Sequence, residues 1–304
     1  MKEDGRLVDG KREYVVCNFC GRDRPVLFFA ENGYDLQKCT NCGLLYVNPR
    51  PPAADSILSH SHDYAEYVDK YVQQNEIFLM EAKTRLAEIL GWKKGGKLLD
   101  IGCAAGIFLD YARQQGWEVY GVEPDHRLAQ HAIHKLDLNV KVCDFLNNEL
   151  PAGTFDVIAA HNVISHVRDP ELFFREVYRL LKSGGLFFMH TGNRAELSSK
   201  KEGEIFGERW ATPDHLYHFS EELLREYLER NGFQVRHIRK VHLLDFLFTE
   251  ENLRTFKGAK IKSLFKMALV EVPAFRKLVH GLFGLYSIRL KGNRLAKLSF
   301  VAQK

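Results

Sequence analysis

The chain has 304 residues, of which 45% are apolar and 27% charged, with a formal net charge of +4 at pH 7. That length and apolar content can build one large core or two modest ones, and the charge is too mild to demand nucleic acid as a partner. No stretch approaches the ~18 uninterrupted apolar residues of a membrane span, and Met1 to Arg12 lacks the apolar run of a secretory leader, so the expected compartment is the cytoplasm.

The first structured unit announces itself through cysteine. Cys17-Asn18-Phe19-Cys20 and Cys39-Thr40-Asn41-Cys42 are two CxxC pairs, each followed at once by glycine, Gly21 and Gly43. A two-residue gap lets the chain turn so that both thiolates face one ion, and the glycine relieves the tight backbone. Two such knuckles supply the four thiolates of a closed tetrahedral zinc site with no position open for substrate. The zinc is expected to be structural, stabilising a ribbon of Val15 to Val47 too small to fold on its own core. Cys103 and Cys143 lie in apolar surroundings and read as small core residues.

Asn48-Pro49-Arg50-Pro51-Pro52 is an extended linker. The periodicity then predicts a helix over Tyr64 to Leu90, ended by Gly91 and Gly95-Gly96. From Lys97 short apolar runs alternate with helical stretches, the pattern of parallel strands joined by crossover helices. Lys97 to Ile101 is the first strand. It ends in Gly102-Cys103-Ala104-Ala105-Gly106, and a helix over Ile107 to Gln115 follows. Glycines after a strand let backbone approach a ligand at the carboxyl edge of the sheet. The second strand, Trp117 to Val122, ends at Glu123, a carboxylate about twenty residues past the glycines that can accept two ribose hydroxyls. The third, Val140 to Val142, ends at Cys143-Asp144-Phe145, and the fourth, Phe155 to Ala160, at His161-Asn162.

Asp169 is placed to cap a helix running through Leu181, with Pro170 and Glu171 in its first turn. The turn Ser183-Gly184-Gly185 leads into a strand over Leu186 to His190. Ser220 caps a helix over Glu221 to Arg230, Phe233 to Val241 begins another strand, and Lys297 to Gln303 closes the sheet. Between Arg254 and Arg294 lysines and arginines interleave with Phe256, Phe265, Leu269, Phe275 and Leu282. That segment reads either as a helical lid with a solvated basic face or as a surface for anionic lipid or a pyrophosphate-bearing substrate.

The ordered set LLDIGCAAGIFL, GVEPD, VCDFLNNELPAGTFDVIAAHNVISHVRDP and LLKSGGLFFMHTGN, spanning Lys97 to Asn193, resembles the class I S-adenosylmethionine-dependent methyltransferases. The resemblance implies an α/β fold, a doubly wound and mostly parallel Rossmann-like sheet, here with a small N-terminal zinc ribbon and a helical C-terminal insertion. It implies that Asp100, Gly102, Ala104 and Gly106 form the turn around the methionine moiety, with Cys103 and His161 also lining the cofactor. It further implies that Glu123 holds the ribose and that Asp144 and Phe145 flank the adenine. Where the family often has glycine this chain has Ala104, which adds a methyl group. A nicotinamide dehydrogenase would prefer the GxGxxG spacing, whereas Gly102 and Gly106 stand four apart. The chain divides on this reading into the ribbon and linker (1–52), a helical lead-in (53–96), the cofactor domain (97–249) and a basic insertion with a final strand (250–304).

The segment Glu208 to Ser220 is dense in histidine and aromatics and follows a strand end, where loops carry function. Together with the doubled CxxC ribbon it resembles the zinc-ribbon methyltransferases of glycan and sugar-nucleotide pathways. By that resemblance His215 is the general base and Asp214 its orienting acid, while Thr212 stands where the related C-methyltransferases have tyrosine. Histidine suits the removal of a proton from a hydroxyl or an acidic C–H. A structural reading of His215 and His218 stands beside this one; His161 and His166 flank the same edge, and His190 is a further candidate at a strand end. The acceptor implied is a small molecule, such as a nucleotide- or lipid-linked sugar, reached in the cytoplasm or at the inner membrane face through 254–294. Alternatives are a lipid- or quinone-like acceptor, rRNA, or cofactor binding without catalysis. Against RNA, the ribbon has few basic residues beyond Arg22, Arg24 and Lys38.

Overall fold

In the computed structural model, residues 12–52, 75–192, 213–241 and 297–304 are described, with two short strands before them, β1 (Lys2–Glu3) and β2 (Arg6–Val8). β3 (Glu13–Tyr14) completes a small antiparallel sheet. β4 (Pro25–Glu31) and β5 (Tyr34–Cys39) form a hairpin whose turn is Asn32-Gly33, both at positive φ (53° and 76°), the dipeptide a tight hairpin turn demands. β6 (Leu45–Val47) pairs with β5.

Helix α1 (Asn75–Leu90) is the later part of the predicted helix and ends where expected, with Gly91 N–H donating to the Ala87 carbonyl. Residues 53–74, which hold the first part of the predicted helix, the segment 208–212 and the basic stretch 254–294 lie outside the described residues. The alternation then runs as read from the sequence: β7 (Lys97–Ile101), α2 (Ile107–Gln114), β8 (Glu118–Val122), α3 (His126–Leu136), β9 (Val140–Lys141), β10 (Phe155–His161), α4 (Pro170–Leu180), β11 (Leu181–Gly192), β12 (Tyr217–His218), α5 (Glu221–Arg230), β13 (Gln234–Val241) and β14 (Lys297–Gln303). The predicted caps form: Asp169 accepts from Leu172 N–H at the start of α4, and Ser220 from Leu223 N–H at the start of α5. One boundary moves. Leu181 starts the strand instead of ending the helix, and Ser183-Gly184-Gly185 lies within β11 as an irregularity, where the pairing skips from Phe155–Leu181 to Val157–Leu186.

The large sheet has the order β13-β14-β11-β10-β7-β8-β9, with every neighbouring pair parallel except the two that involve β14. From β7 the chain builds outward to β8 and β9, then returns to the other side with β10 and β11. The carboxyl ends of β7 and β10 are therefore the switch point where such sheets bind ligands. One core packs Phe155, Phe173, Phe174, Phe187 and Tyr227 on one face, and the other packs Leu86, Leu98, Phe108, Trp117 and Phe188 beneath α1 and α2. Adjacent residues such as Phe187 and Phe188 divide between the two, as strand alternation requires. Among the described residues no helix is long and apolar enough to cross a membrane.

The ribbon is not a separate bead. Its sheet has the order β12-β6-β5-β4, and its fourth strand, Tyr217–His218, comes from far along the chain. Leu36, Leu45, Tyr46 and Val47 share one continuous core with Ile164, Phe173, Tyr217 and Phe219.

Candidate active site

The turn after β7 is shaped by main-chain bonds. Gly102 N–H and Cys103 N–H both donate to the Val122 carbonyl, at 2.8 and 3.3 Å. Gly102 (φ 69°) and Gly106 (φ 83°) occupy conformations and spaces that exclude a side chain. A Cβ on Gly102 would lie 2.8 Å from Val163 Cγ2, and one on Gly106 2.6 Å from Leu138 Cδ1. Ala104 sits between them at φ 47°. Its methyl therefore carries a backbone cost as well as a volume, on the order of 1 kcal/mol, because Cβ crowds the following carbonyl in the left-handed region. The turn accepts this because Glu123 holds it: Ala104 N–H donates to Glu123 Oε2 (2.8 Å) and Asp125 N–H to Oε1 (2.9 Å). Burial pushes the Glu123 carboxyl up, and those two amides pull it back. Cys103 is a core residue, its thiol raised by burial and by Asp100 and Glu123 nearby.

At the third strand the two expected adenine neighbours part company. Asp144 is exposed, with Oδ1 accepting from Leu146 N–H. Phe145 turns inward to Phe173, with ring centroids 5.2 Å apart, because a large apolar ring gains more from the core than from the edge.

Asp100 and His161 meet below the turn, Oδ1 to Nδ1 at 3.6 Å, each side chain 5% exposed. Asp100 Oδ1 accepts no hydrogen bond, and burial pushes this carboxyl up to about 8, against the pull of Arg85 and with Glu123 adding to the rise. His161 continues into residues that the sequence did not bring together. Its ring meets Phe108 (5.2 Å) and His190 (5.0 Å) edge-on. His190 Nε2 lies 2.8 Å from Glu88 Oε2, and Ser299 Oγ donates to Glu88 Oε1 at 2.6 Å. Burial raises the Glu88 carboxyl, but His190, Ser299 and the charge of Arg239 outweigh it and hold it below its usual range. The register pairs His161 with His190 and His190 with Ser299. A row of polar side chains thus crosses the sheet under α1, joining elements distant in sequence. Strand alternation was the available signal, but only the pairing partners could reveal the row.

A second histidine group joins His166, on the loop after β10, to His215 and His218 of the segment 214–218. His166 Nδ1 is 2.8 Å from the Asp214 carbonyl oxygen. The His166 and His215 rings stand edge-on at 4.7 Å, and His215 and His218 at 5.8 Å. His215 is half-buried and His218 buried. Leu216 and Tyr217 N–H both donate to the Ser165 carbonyl, and Val47 N–H to that of Leu216. Segments 45–47, 165–166 and 214–218 are therefore interlocked. The Asp214 main chain contributes to this lock through its carbonyl contact with His166.

The four predicted metal ligands converge. Their sulfurs all lie within 4.8 Å of one another, with Cys17–Cys42 at 3.5 Å and Cys20–Cys39 at 3.6 Å. Zn–S bonds of ~2.3 Å in a tetrahedron imply S···S separations of ~3.8 Å, so the set fits zinc. Gly21 N–H donates to Cys17 O and Gly43 N–H to Cys39 O, closing the two knuckles with positive φ at each glycine. The first knuckle docks on the helices: Tyr227 Oη donates to Asn18 Oδ1 (2.9 Å), and Arg230 donates to the Phe19 carbonyl while lying over the Phe19 and Tyr227 rings. A buried ionic knot completes the junction. Arg50 Nε donates to Glu13 Oε2 (3.0 Å), Arg168 pairs with the same carboxylate, and Tyr217 Oη donates to Arg168 O.

The profile of the family described as "Methyltransferase domain" matches residues 68–238. The mitochondrial ubiquinone biosynthesis O-methyltransferase of Rattus norvegicus is 34% identical over 160 residues, 46% of this chain and 45% of that protein. The ubiquinone biosynthesis O-methyltransferase of Pseudomonas aeruginosa is 36% identical over 107 residues, 33% of this chain and 46% of that one. The chain spans about half the length of these relatives. Among solved structures, a phospholethanolamine N-methyltransferase 2 of Haemonchus contortus superposes with a TM-score of 0.57 at 17% identity, covering 91% of this chain and 70% of that one. A SAM-dependent methyltransferase from Archaeoglobus fulgidus does so with 0.51 at 20%, covering 80% and 100%. At those identities the likeness is one of fold.

Proposed function

The chain belongs to the methyltransferase-domain family, and from that premise we propose that it transfers a methyl group from S-adenosylmethionine to a hydroxyl of a small polar acceptor, with His215 as general base. The observation that carries the reading is the half-buried His215, ringed by His166 and His218 and tied to the loop that leaves the switch point. The turn fits the cofactor. It offers a glycine turn packed so tightly on Val163 and Leu138 that no side chain fits at Gly102 or Gly106, a buried carboxyl oxygen at Asp100 that accepts no hydrogen bond, and a second carboxylate, Glu123, fixed by two amides. When bound, S-adenosylmethionine supplies an electrophilic methyl on a sulfonium centre. Gly102, Ala104 and Gly106 would pass their backbone beneath its amino-acid end, Glu123 would accept from the ribose, and Asp144 would stand exposed beside the base. His215 takes the hydroxyl proton of the acceptor, and its histidine neighbours and the interlocked main chain keep the ring in place. The four ribbon thiolates would hold a structural zinc, which closes the ribbon on which His218 is paired.

A sugar or glycan-pathway intermediate suits this wall, where exposed Asn162 and half-buried His166 and His215 offer hydrogen bonds. A phenolic quinone precursor is the second reading, favoured by what the relatives are named for. Incubation with methyl-labelled S-adenosylmethionine and two acceptor panels, nucleotide sugars and demethylated quinone precursors, should place label on the sugars by mass spectrometry. Label on the quinone panel alone overturns the sugar assignment. His215→Ala should lower turnover ~10²- to 10⁴-fold with cofactor affinity retained. Undiminished turnover removes His215 from the mechanism.

A further inference from the structure

Resting on the placement of Asp100 in the cofactor turn, we infer that His161 is the residue by which this site tells the sulfonium cofactor from its demethylated product. The buried Asp100–His161 pair gives up a proton when the cation binds and takes one back when the charge is gone.

The geometry leads there in three steps. The pair is sealed: each side chain is 5% exposed, Phe108 covers one side of the His161 ring, and His190 the other. A lone charge in such a place is costly, so the pair keeps whatever protonation makes its surroundings nearest neutral. Those surroundings lean negative. Glu123 faces Asp100 from the end of β8 and Arg85 from α1; on the far side Glu88, also on α1, holds His190. Arg85 is already engaged by Glu81 at 2.7 Å. Asp100 Oδ1 accepts no hydrogen bond within the protein, and the positive charges near it are Arg85, shared with Glu81, and His161 when protonated, so a proton on the pair or an arriving cation adds what they leave uncompensated. Consistent with this, the Asp100 carboxyl is raised to about 8, chiefly by burial.

The two forms of the cofactor differ by one unit of positive charge. In methyl transfer to a hydroxyl, the S–C bond breaks with its electron pair staying on sulfur. The new O–C bond forms from an oxygen pair, and the O–H proton passes to His215. As the sulfonium charge disappears, one proton from solvent enters the Asp100–His161 pair, so the charge of the pocket is restored while the product is still bound. Binding of the next sulfonium expels it.

Titration calorimetry of the full chain with S-adenosylmethionine and S-adenosylhomocysteine, in buffers of different ionisation enthalpy, counts the protons. The sulfonium should release close to one proton more than the thioether, and its affinity should rise ~10-fold per pH unit between about pH 6 and 8 while that of the thioether stays nearly level. His161→Gln should at least halve the difference in proton count. Equal counts for the two ligands in the unaltered protein overturn the inference. An undiminished difference in His161→Gln takes the role from His161. Failure of both ligands to bind overturns the inference together with the reading on which it rests.

Discussion

The turn after β7 and the histidine group that gathers on the loop after β10 are built in opposite ways. The turn is local: Asp100 to Gly106 and Glu123 to Asp125 are held by amides of neighbouring segments, and its key atoms belong mostly to the main chain. The histidine group is assembled from afar. Leu45–Val47, Ser165–His166 and Asp214–His218 interlock only because the ribbon borrows β12 as its outer strand and docks on α4 and α5. On the proposed function, a common cofactor is met by a fixed local turn, whereas an acceptor site built from three separate segments would change whenever one of them changes.

This contrast can be broken by experiment. The largest effect should follow removal of the metal proposed for the four ribbon cysteines. Chelation should shift or broaden the imidazole resonances of His215 and His218, while cofactor affinity measured calorimetrically stays within ~3-fold. Equal loss of cofactor affinity would show that the two regions are one unit. Next in size is the ionic knot. Glu13→Gln leaves Arg50 and Arg168 without their shared carboxylate and should cost ~3–5 kcal/mol in denaturant unfolding, with part recovered in Glu13→Gln/Arg50→Met. A cost below ~1 kcal/mol would mean that solvent reaches the junction. The smallest effect belongs to the turn. Ala104→Gly relieves a positive φ and should stabilise the fold by up to ~1 kcal/mol in a thermal melt. A loss of stability would place the strain elsewhere.

The same contrast governs what the sequence made legible. Strands β7 to β11, the caps Asp169 and Ser220, and the glycine turn follow from patterns within a few residues, and each was read correctly within a residue or two, apart from the irregular start of β11. Two local signals carry more than element type. Asn32-Gly33 marks the β4–β5 hairpin, and an alanine among turn glycines marks a strained φ. Phe145 packs its ring against Phe173, a contact that follows from the burial of a large apolar side chain and not from any local pattern. Glu88 and Ser299 lie far in sequence from His190, and nothing short of the β11–β14 register and the packing of α1 brings them to it. The same is true of β12, too short to have a periodicity of its own.

The placement of Lys297–Gln303 reaches back to the ribosome. Strand β13 has β14 as its only neighbour among the described strands, and β14 also covers the flank of β11. Translation delivers β11 and β13 well before the strand that must lie between them. During that interval Phe187, Phe188 and Met189 lie along an edge with no partner from the chain's own sheet, a template for pairing with other chains. A ribosome stalled in that stretch would present the finished glycine turn on a sheet whose flank is still unsealed.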